Sequence, residues 1–267
     1  MALPAFLLAP GQVFVPGILG GLGPLAHVQF EREILACGER HGARSDRDHP
    51  VWLVANATST PDRSAALLKN GPSPAPHLAA FTRGLERAGA DAIFVVCNTA
   101  HAYHAEVQRA LTIPWVHLMD IVAAWLRASY PAGTGVGILA TDATLRTRLF
   151  HRALEAHGLV PVAPDIDSEP QRRVLSAIFD ESIGIKATGA RVADEAREHL
   201  VSAARWCQAH GATVIVPACT EVSVGLTVDV FQSAPVVDPL TVAADTLLDI
   251  AYGRRHPSEF LVSDGPC

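Results

Sequence analysis

The chain is poor in charge and almost without lysine. Asp, Glu, Lys and Arg make up 18% of its 267 residues, and the lysines are Lys69 and Lys186 alone. Basic residues total 21 against 27 acidic ones, a net charge of −6, and they fall singly or in pairs such as Arg172-Arg173 and Arg254-Arg255. No basic stripe is available for a phosphate backbone, so a nucleic-acid partner is not expected. Cysteine is scarce as well: the five residues are odd in number and contain no Cys-x-x-Cys pair. That pattern argues against a disulfide framework or a zinc knuckle, predicts a reduced, cytoplasmic setting and leaves thiols for chemistry. The apolar start from Ala2 to Pro10 lacks a basic flank and is broken by prolines, so it does not read as a signal peptide. No run reaches the roughly 18 uncharged apolar residues of a membrane span, and no membrane partner is expected. Against these shortages stand 49% hydrophobic residues and a mean hydropathy of +0.23, enough for one large core or two smaller ones and too much for disorder.

Short apolar runs that end in Gly, Asn, Thr or Cys alternate with segments of helical period, the pattern of parallel strands with helical crossovers. It predicts an α/β fold with strands over 13–19, 51–55, 92–96, 115–118, 135–140, 160–163, 213–216 and 236–237. Helices are expected over 26–38, 76–88, 101–111, 121–128, 143–157, 171–179, 190–210 and 240–251. The two halves echo each other. Val15-Pro16-Gly17-Ile18-Leu19-Gly20-Gly21 corresponds to Gly135-Val136-Gly137-Ile138-Leu139-Ala140-Thr141, and Gly89-Ala90-Asp91-Ala92-Ile93-Phe94-Val95-Val96-Cys97 to Gly211-Ala212-Thr213-Val214-Ile215-Val216-Pro217-Ala218-Cys219. Two pseudo-symmetric lobes follow, one of residues 1–118 plus 236–267 carrying Cys97 and one of residues 119–235 carrying Cys219, with an active site expected in the cleft between them.

Both cysteines sit just past a buried strand where a helix is predicted to begin, and in open parallel sheets ligands bind at the carboxyl ends of strands. A thiol at a helix N-terminus meets unpaired N–H groups and the positive end of the dipole, which favours thiolate. A single cysteine so placed has an ordinary explanation as core filling. Two at equivalent positions of repeated lobes point to chemistry. A pair of thiols facing one carbon from opposite sides can remove a proton from one face and deliver one to the other, with no cofactor. Asn98, Thr99 and Thr220 stand beside the sulfurs, where their amides and hydroxyls can cap helix starts and receive a carboxylate.

Other candidates carry weaker signals. In the loop from Gly17 to Pro24, Gly21-Leu22-Gly23-Pro24-Leu25-Ala26 fits a loose dinucleotide pattern, but Pro24 sits in the would-be phosphate turn and the second strand ends in Val54-Ala55-Asn56 without an acidic residue. Gly21 and Leu22 are therefore read as backbone brought close to a small ligand. Arg63 in Pro61-Asp62-Arg63-Ser64 can form a bidentate pair with a carboxylate, or pair with Asp62. Lys186 lies in Ile183-Gly184-Ile185-Lys186-Ala187-Thr188-Gly189. His101 and His104 are spaced for a metal but lack a third ligand, so capping and packing are expected of them and no metal site is. Cys37, Cys207 and Cys267 have no chemical neighbours in sequence and are read as structural.

Taken together these motifs resemble the cofactor-independent aspartate/glutamate racemase superfamily, and within it the aspartate racemase branch. The resemblance runs over nearly the whole chain, through Gly17 to Ala26, Arg47-Asp48-His49-Pro50, Pro61-Asp62-Arg63, Cys97-Asn98-Thr99-Ala100-His101, Leu139-Ala140-Thr141, Gly184-Ile185-Lys186 and Cys219-Thr220-Glu221. It implies two pseudo-symmetric α/β lobes and a homodimer. It also implies Cys97 and Cys219 as acid/base thiols, Asn98, Thr99 and Thr220 on the α-carboxylate, and Arg63 with Lys186 on the side-chain carboxylate of an acidic amino acid. The chain departs from that branch in Asn56-Ala57-Thr58-Ser59-Thr60-Pro61-Asp62-Arg63, where the branch has Asn-Asn-Pro-Gln-x-Pro-Asp-Arg, and in Leu22, His27 and Ala218. Aspartate and glutamate are the simplest substrates. A cis-trans isomerase of a dicarboxylate, resembling maleate isomerase, and a catalytically silent dicarboxylate-binding protein are the alternatives; α-proton exchange separates both from a racemase.

Overall fold

The computed structural model describes residues 3–189 and 191–261, so Cys267 lies outside the described residues. The chain divides into two compact units. The first contains Met1–Ala66, Asn70–Leu118 and Leu240–Cys267, and the second Leu67–Lys69 and Met119–Pro239.

The first unit is built on a parallel sheet in the order β2-β1-β3, with β1 at Pro16–Gly20, β2 at Leu53–Asn56 and β3 at Ala92–Val95. The second repeats it in the order β5-β4-β6, with β4 at Gly135–Leu139, β5 at Val160–Val162 and β6 at Val214–Pro217. In each sheet the first strand in sequence is the middle one, and its residues are buried throughout. Continuous apolar runs such as Ile18-Leu19 and Val136-Gly137-Ile138-Leu139 are the sequence form of strands covered on both faces. The registers correspond too: Ile18 pairs with Phe94 and Leu19 with Val95, as Ile138 pairs with Val216 and Leu139 with Pro217. Leu85 and Ala90 with Ile93 and Trp115 pack one core; Leu200, Ala203 and Cys207 with Ile215 and Val222 pack the other. Gly135 is a backbone contact point, since a Cβ there would overlap the Gly211 carbonyl.

Several expected elements are shorter or broken. The strands expected at 115–118 and 236–237 are reduced to single bridges, Ile93 with Trp115 and Ile215 with Val236. The Trp115 N–H turns instead to Gln108 Oε1 at 2.7 Å, and the helix Leu118–Ser129 begins three residues on. The helix expected over 143–157 is two helices, Asp142–Thr147 and Leu149–Ala156, separated by Arg148 in the left-handed region at φ 54°. The helix expected over 101–111 is a 3-10 turn, Thr99–Tyr103, followed by the short helix His104–Gln108. Among the described residues no helix is long and apolar enough to cross a membrane.

Candidate active site

At the carboxyl rim of the first sheet the chain leaves β3 and turns so tightly that the Cys97 N–H bonds the Val95 carbonyl at 2.9 Å. Cys97 is 8% exposed and Asn98 4%. Asn98 precedes the 3-10 turn but does not cap it, and its buried Oδ1 has no protein partner. A buried polar atom without a partner is costly unless something else satisfies it. Thr99 and Leu22 are buried beside the same rim. Gly21 has φ 81°, and a Cβ there would overlap Asn56 Oδ1 and lie 2.5 Å from the Ala57 nitrogen, so the loop after β1 passes this point only as glycine.

Arg63 belongs to this rim, although not as a partner of Asp62. The Asp62 carboxylate accepts from the Ala65 N–H at 2.5 Å at the start of the helix Arg63–Leu68. The Arg63 guanidinium donates to the carbonyl of Leu22, to that of Pro61 at 3.2 Å and to that of Thr60 at 3.4 Å. It thereby ties the loop after β1 to the loop after β2. Its Nε and the Thr60 hydroxyl are buried without partners.

Beneath Cys97 lies a buried aromatic cluster. His101 Nδ1 is 2.9 Å from the Cys97 carbonyl oxygen, and Trp115 Nε1–H donates to His101 Nε2 at 3.1 Å. An indole N–H can only donate, so His101 must accept at Nε2 and carry its proton on Nδ1, pointing at the Cys97 carbonyl. The His104 and His117 rings stand 6.4 and 5.3 Å from it. Burial first, then the neighbouring His117 and His104 rings, push the His101 pKa well below its ordinary value, so the ring is neutral. Among the described residues no group of three or more His, Cys, Asp or Glu side chains is arranged to hold a metal ion.

The second unit supports its cysteine differently. Cys219 is the residue before the helix Thr220–Gly225 and is also 8% exposed. Its thiol donates to Glu221 Oε2 at 3.0 Å, and the Thr220 hydroxyl donates to the same oxygen at 3.1 Å. Lys186, on the short helix Ile185–Thr188, closes the other side of the carboxylate with Nζ 2.5 Å from Glu221 Oε1. The Phe179 ring lies 5.8 Å from the same ammonium. Burial pushes the Glu221 carboxyl up, but the Lys186 ammonium and the hydrogen bonds from Lys186 and Cys219 outweigh it and hold the group below its ordinary range. Cys219 moves the other way from the thiolate expected at a helix start. Burial and then the Glu221 carboxylate push its pKa well up, and the thiol rests protonated.

Within the first unit the loops after β1, β2 and β3 thus carry Gly21, Leu22, Arg63, Cys97, Asn98 and Thr99 on one rim; within the second, Lys186, Cys219 and Thr220 gather around Glu221. The capping that sequence position suggests is not made by Asn98, and the second helical start, at Cys219, carries no side-chain cap either. The supporting roles of Glu221 and Trp115 are signalled in sequence only by position, one two residues after a cysteine and the other in the segment after β3.

A chain of two like parallel α/β units, each following a buried strand with a buried cysteine, falls in the class of duplicated α/β proteins. The family model for Asp/Glu/hydantoin racemases matches residues 19–247, and the chain belongs to that racemase family. It is similar to the broad-specificity amino-acid racemase RacX of Bacillus subtilis, at 26% identity over 226 residues covering 83% of this chain and 91% of that protein. Among solved structures it is similar to the aspartate racemase of Picrophilus torridus, with a TM-score of 0.74 and 26% identity over 93% of this chain and 98% of that one. An aspartate racemase homologue from Pyrococcus horikoshii shares the fold with a TM-score of 0.70 and 21% identity, over 90% and 99% of the two chains.

Proposed function

We propose that this enzyme racemises an amino acid, most simply aspartate or glutamate, by proton transfer at the α-carbon between Cys97 and Cys219 without pyridoxal phosphate. The observation that carries the reading is the repetition of a buried cysteine, two residues past the end of β3 and again two past the end of β6. The mechanism requires one thiolate to take the α-proton while the other thiol delivers a proton to the opposite face. The α-proton is weakly acidic, so the developing enediolate needs fixed donors. Thr99 and the backbone beside each cysteine supply them, the Thr220 hydroxyl being committed to Glu221, and the partnerless Asn98 amide oxygen is available for the substrate's ammonium. Arg63 and Lys186 are the cations for a second carboxylate, which favours acidic substrates. The enzyme acts as a homodimer in the cytoplasm in this reading, and light scattering checks its assembly.

The test is proton NMR in deuterated water with the L- and D-forms of aspartate and glutamate. Loss of the α-proton signal with appearance of the opposite enantiomer, abolished by Cys97→Ala and by Cys219→Ala, is the expected result. Binding of these acids without exchange would sink the racemase reading.

A further inference from the structure

Lys186 is asked to meet a substrate carboxylate, yet its ammonium already holds Glu221, and Glu221 already holds the Cys219 thiol. The two demands are compatible if they are sequential. We propose that Lys186 and Glu221 form a substrate-operated trigger for Cys219: an incoming dicarboxylate draws the ammonium off Glu221, and the released carboxylate takes the thiol proton. This rests on the reading of the substrate as a dicarboxylate.

The geometry gives the parts of such a device. Lys186 has a side chain 37% exposed, while that of Glu221 is 11% exposed, so the ammonium is the member of the pair that solvent or a ligand can reach. The two carboxylate oxygens are divided between the partners, Oε1 to Lys186 and Oε2 to Cys219 and Thr220. The Lys186 ammonium holds down the proton affinity of both Glu221 and Cys219, but it adds a direct hydrogen bond at Glu221, so its departure raises the affinity of the carboxylate more than that of the thiol. A buried carboxylate deprived of its cation gains proton affinity through desolvation. With the thiol already in hydrogen-bonding range, the proton moves from Sγ to Oε2. The S–H bond breaks, an O–H bond forms, and the electron pair stays on sulfur. Lys186 keeps its protons and exchanges one carboxylate for another. The thiolate then accepts the α-proton. After product leaves, Lys186 returns to Glu221, the acid proton goes to water, and the Cys97 thiolate left by delivering its proton takes one back from water. For the opposite enantiomer the same steps run in reverse: Cys219 delivers its proton to the α-carbon and then regains one from the Glu221 acid as Lys186 returns. Glu221 is in this account a positioning and proton-accepting residue that never touches the substrate.

A merely structural Glu221 and a trigger predict opposite changes in binding. Glu221→Gln removes the charge that competes for Lys186, so succinate, a dicarboxylate without an amine, binds tighter than to wild type by calorimetry while kcat on the amino acid falls by about 10²-fold. Lys186→Met loses succinate binding. In a Cys97→Ser, Cys267→Ser background, succinate raises the ultraviolet absorbance of one thiolate, and adding Glu221→Gln abolishes the rise. If Glu221→Gln does not fold, Glu221→Asp, which cannot reach both partners, carries the same comparison. Succinate binding that needs Lys186 but is not tightened by Glu221→Gln, or that raises no thiolate, overturns the trigger and leaves the dicarboxylate reading standing. Absence of succinate binding, or binding indifferent to Lys186→Met, overturns both.

Discussion

Replacing His101 by glutamine tests the neutral cluster beneath Cys97 through its dependence on pH. The ring is 2% exposed and is held neutral by burial and by the His117 and His104 rings beside it. In the unfolded chain it titrates near the ordinary value of about 6.5. A histidine whose folded pKa lies well below its unfolded one contributes nothing to the pH dependence of stability above that unfolded value, and costs stability as pH falls through it, because only the unfolded state takes up the proton. At pH 5 the penalty for a ring that stays neutral in the folded state is RT ln(1 + 10^1.5), about 2 kcal/mol, since about thirty unfolded rings are protonated there for each that is neutral. Glutamine cannot titrate. Near neutral pH the variant is less stable, because the donor and acceptor of the glutamine amide both sit at its tip and do not reproduce the Nδ1 and Nε2 positions that meet the Cys97 carbonyl and the Trp115 N–H, and one buried group left unpaired costs about 1–3 kcal/mol. On acidification that deficit shrinks by about 2 kcal/mol between pH 7.5 and 5, as wild type loses what the variant cannot. Urea denaturation at a series of pH values, following the first unit, measures the difference directly. A difference that stays constant over this range would refute the buried neutral histidine.

Three further outcomes are expected. Gly135→Ala drives a Cβ into the Gly211 carbonyl and lowers stability by about 1–3 kcal/mol in thermal denaturation. Arg63→Lys loses the planar fork that reaches the Leu22, Thr60 and Pro61 carbonyls together; KM for an acidic amino acid rises about tenfold or more, and thermal stability falls. Cys37 and Cys207, each pushed by burial up to about 12, stay protonated at pH 8 with a thiolate fraction of about 10⁻⁴, so mass spectrometry after iodoacetamide treatment of the folded protein finds both unmodified.

The residues that make the fold legible are those whose pattern has one physical reading. Runs such as Ile93-Phe94-Val95 and Ile215-Val216, followed by a cysteine, have the composition of strands buried on both faces, and the repeated run announces the repeated unit. Choices made by backbone and by distant partners leave no such pattern. The break at Arg148 is a left-handed φ on a residue with no preference for it, set where the Thr147 hydroxyl bonds back to the Thr144 carbonyl at 2.7 Å. The helix start at Cys219 suggests a lowered thiol pKa, but burial and a carboxylate two residues away outweigh the few N–H groups of a six-residue helix. Lys186 is legible as a cation for the site; its resting bond to Glu221 is not, because 35 positions separate them.

The two units repeat a sheet and diverge in what stands behind each thiol. Behind Cys97 the Trp115–His101 pair, neutral and buried, holds the backbone carbonyl of the cysteine and leaves its sulfur untouched by the hydrogen bonds that the cluster makes. Behind Cys219 a charged pair grips the sulfur itself. The two-thiol racemisation proposed above asks for two proton carriers, and duplication supplies equivalent positions for them. It does not ask that both be readied in the same way. A neutral scaffold fixes geometry without responding to charge, whereas a carboxylate shared between a thiol and an ammonium changes its proton affinity whenever the ammonium is engaged elsewhere. Under the proposed trigger the thiol whose proton affinity answers to an anionic ligand is Cys219, and substitutions that neutralise Lys186 or Glu221 alter that response to dicarboxylates in a way that substitutions in the His101 cluster do not.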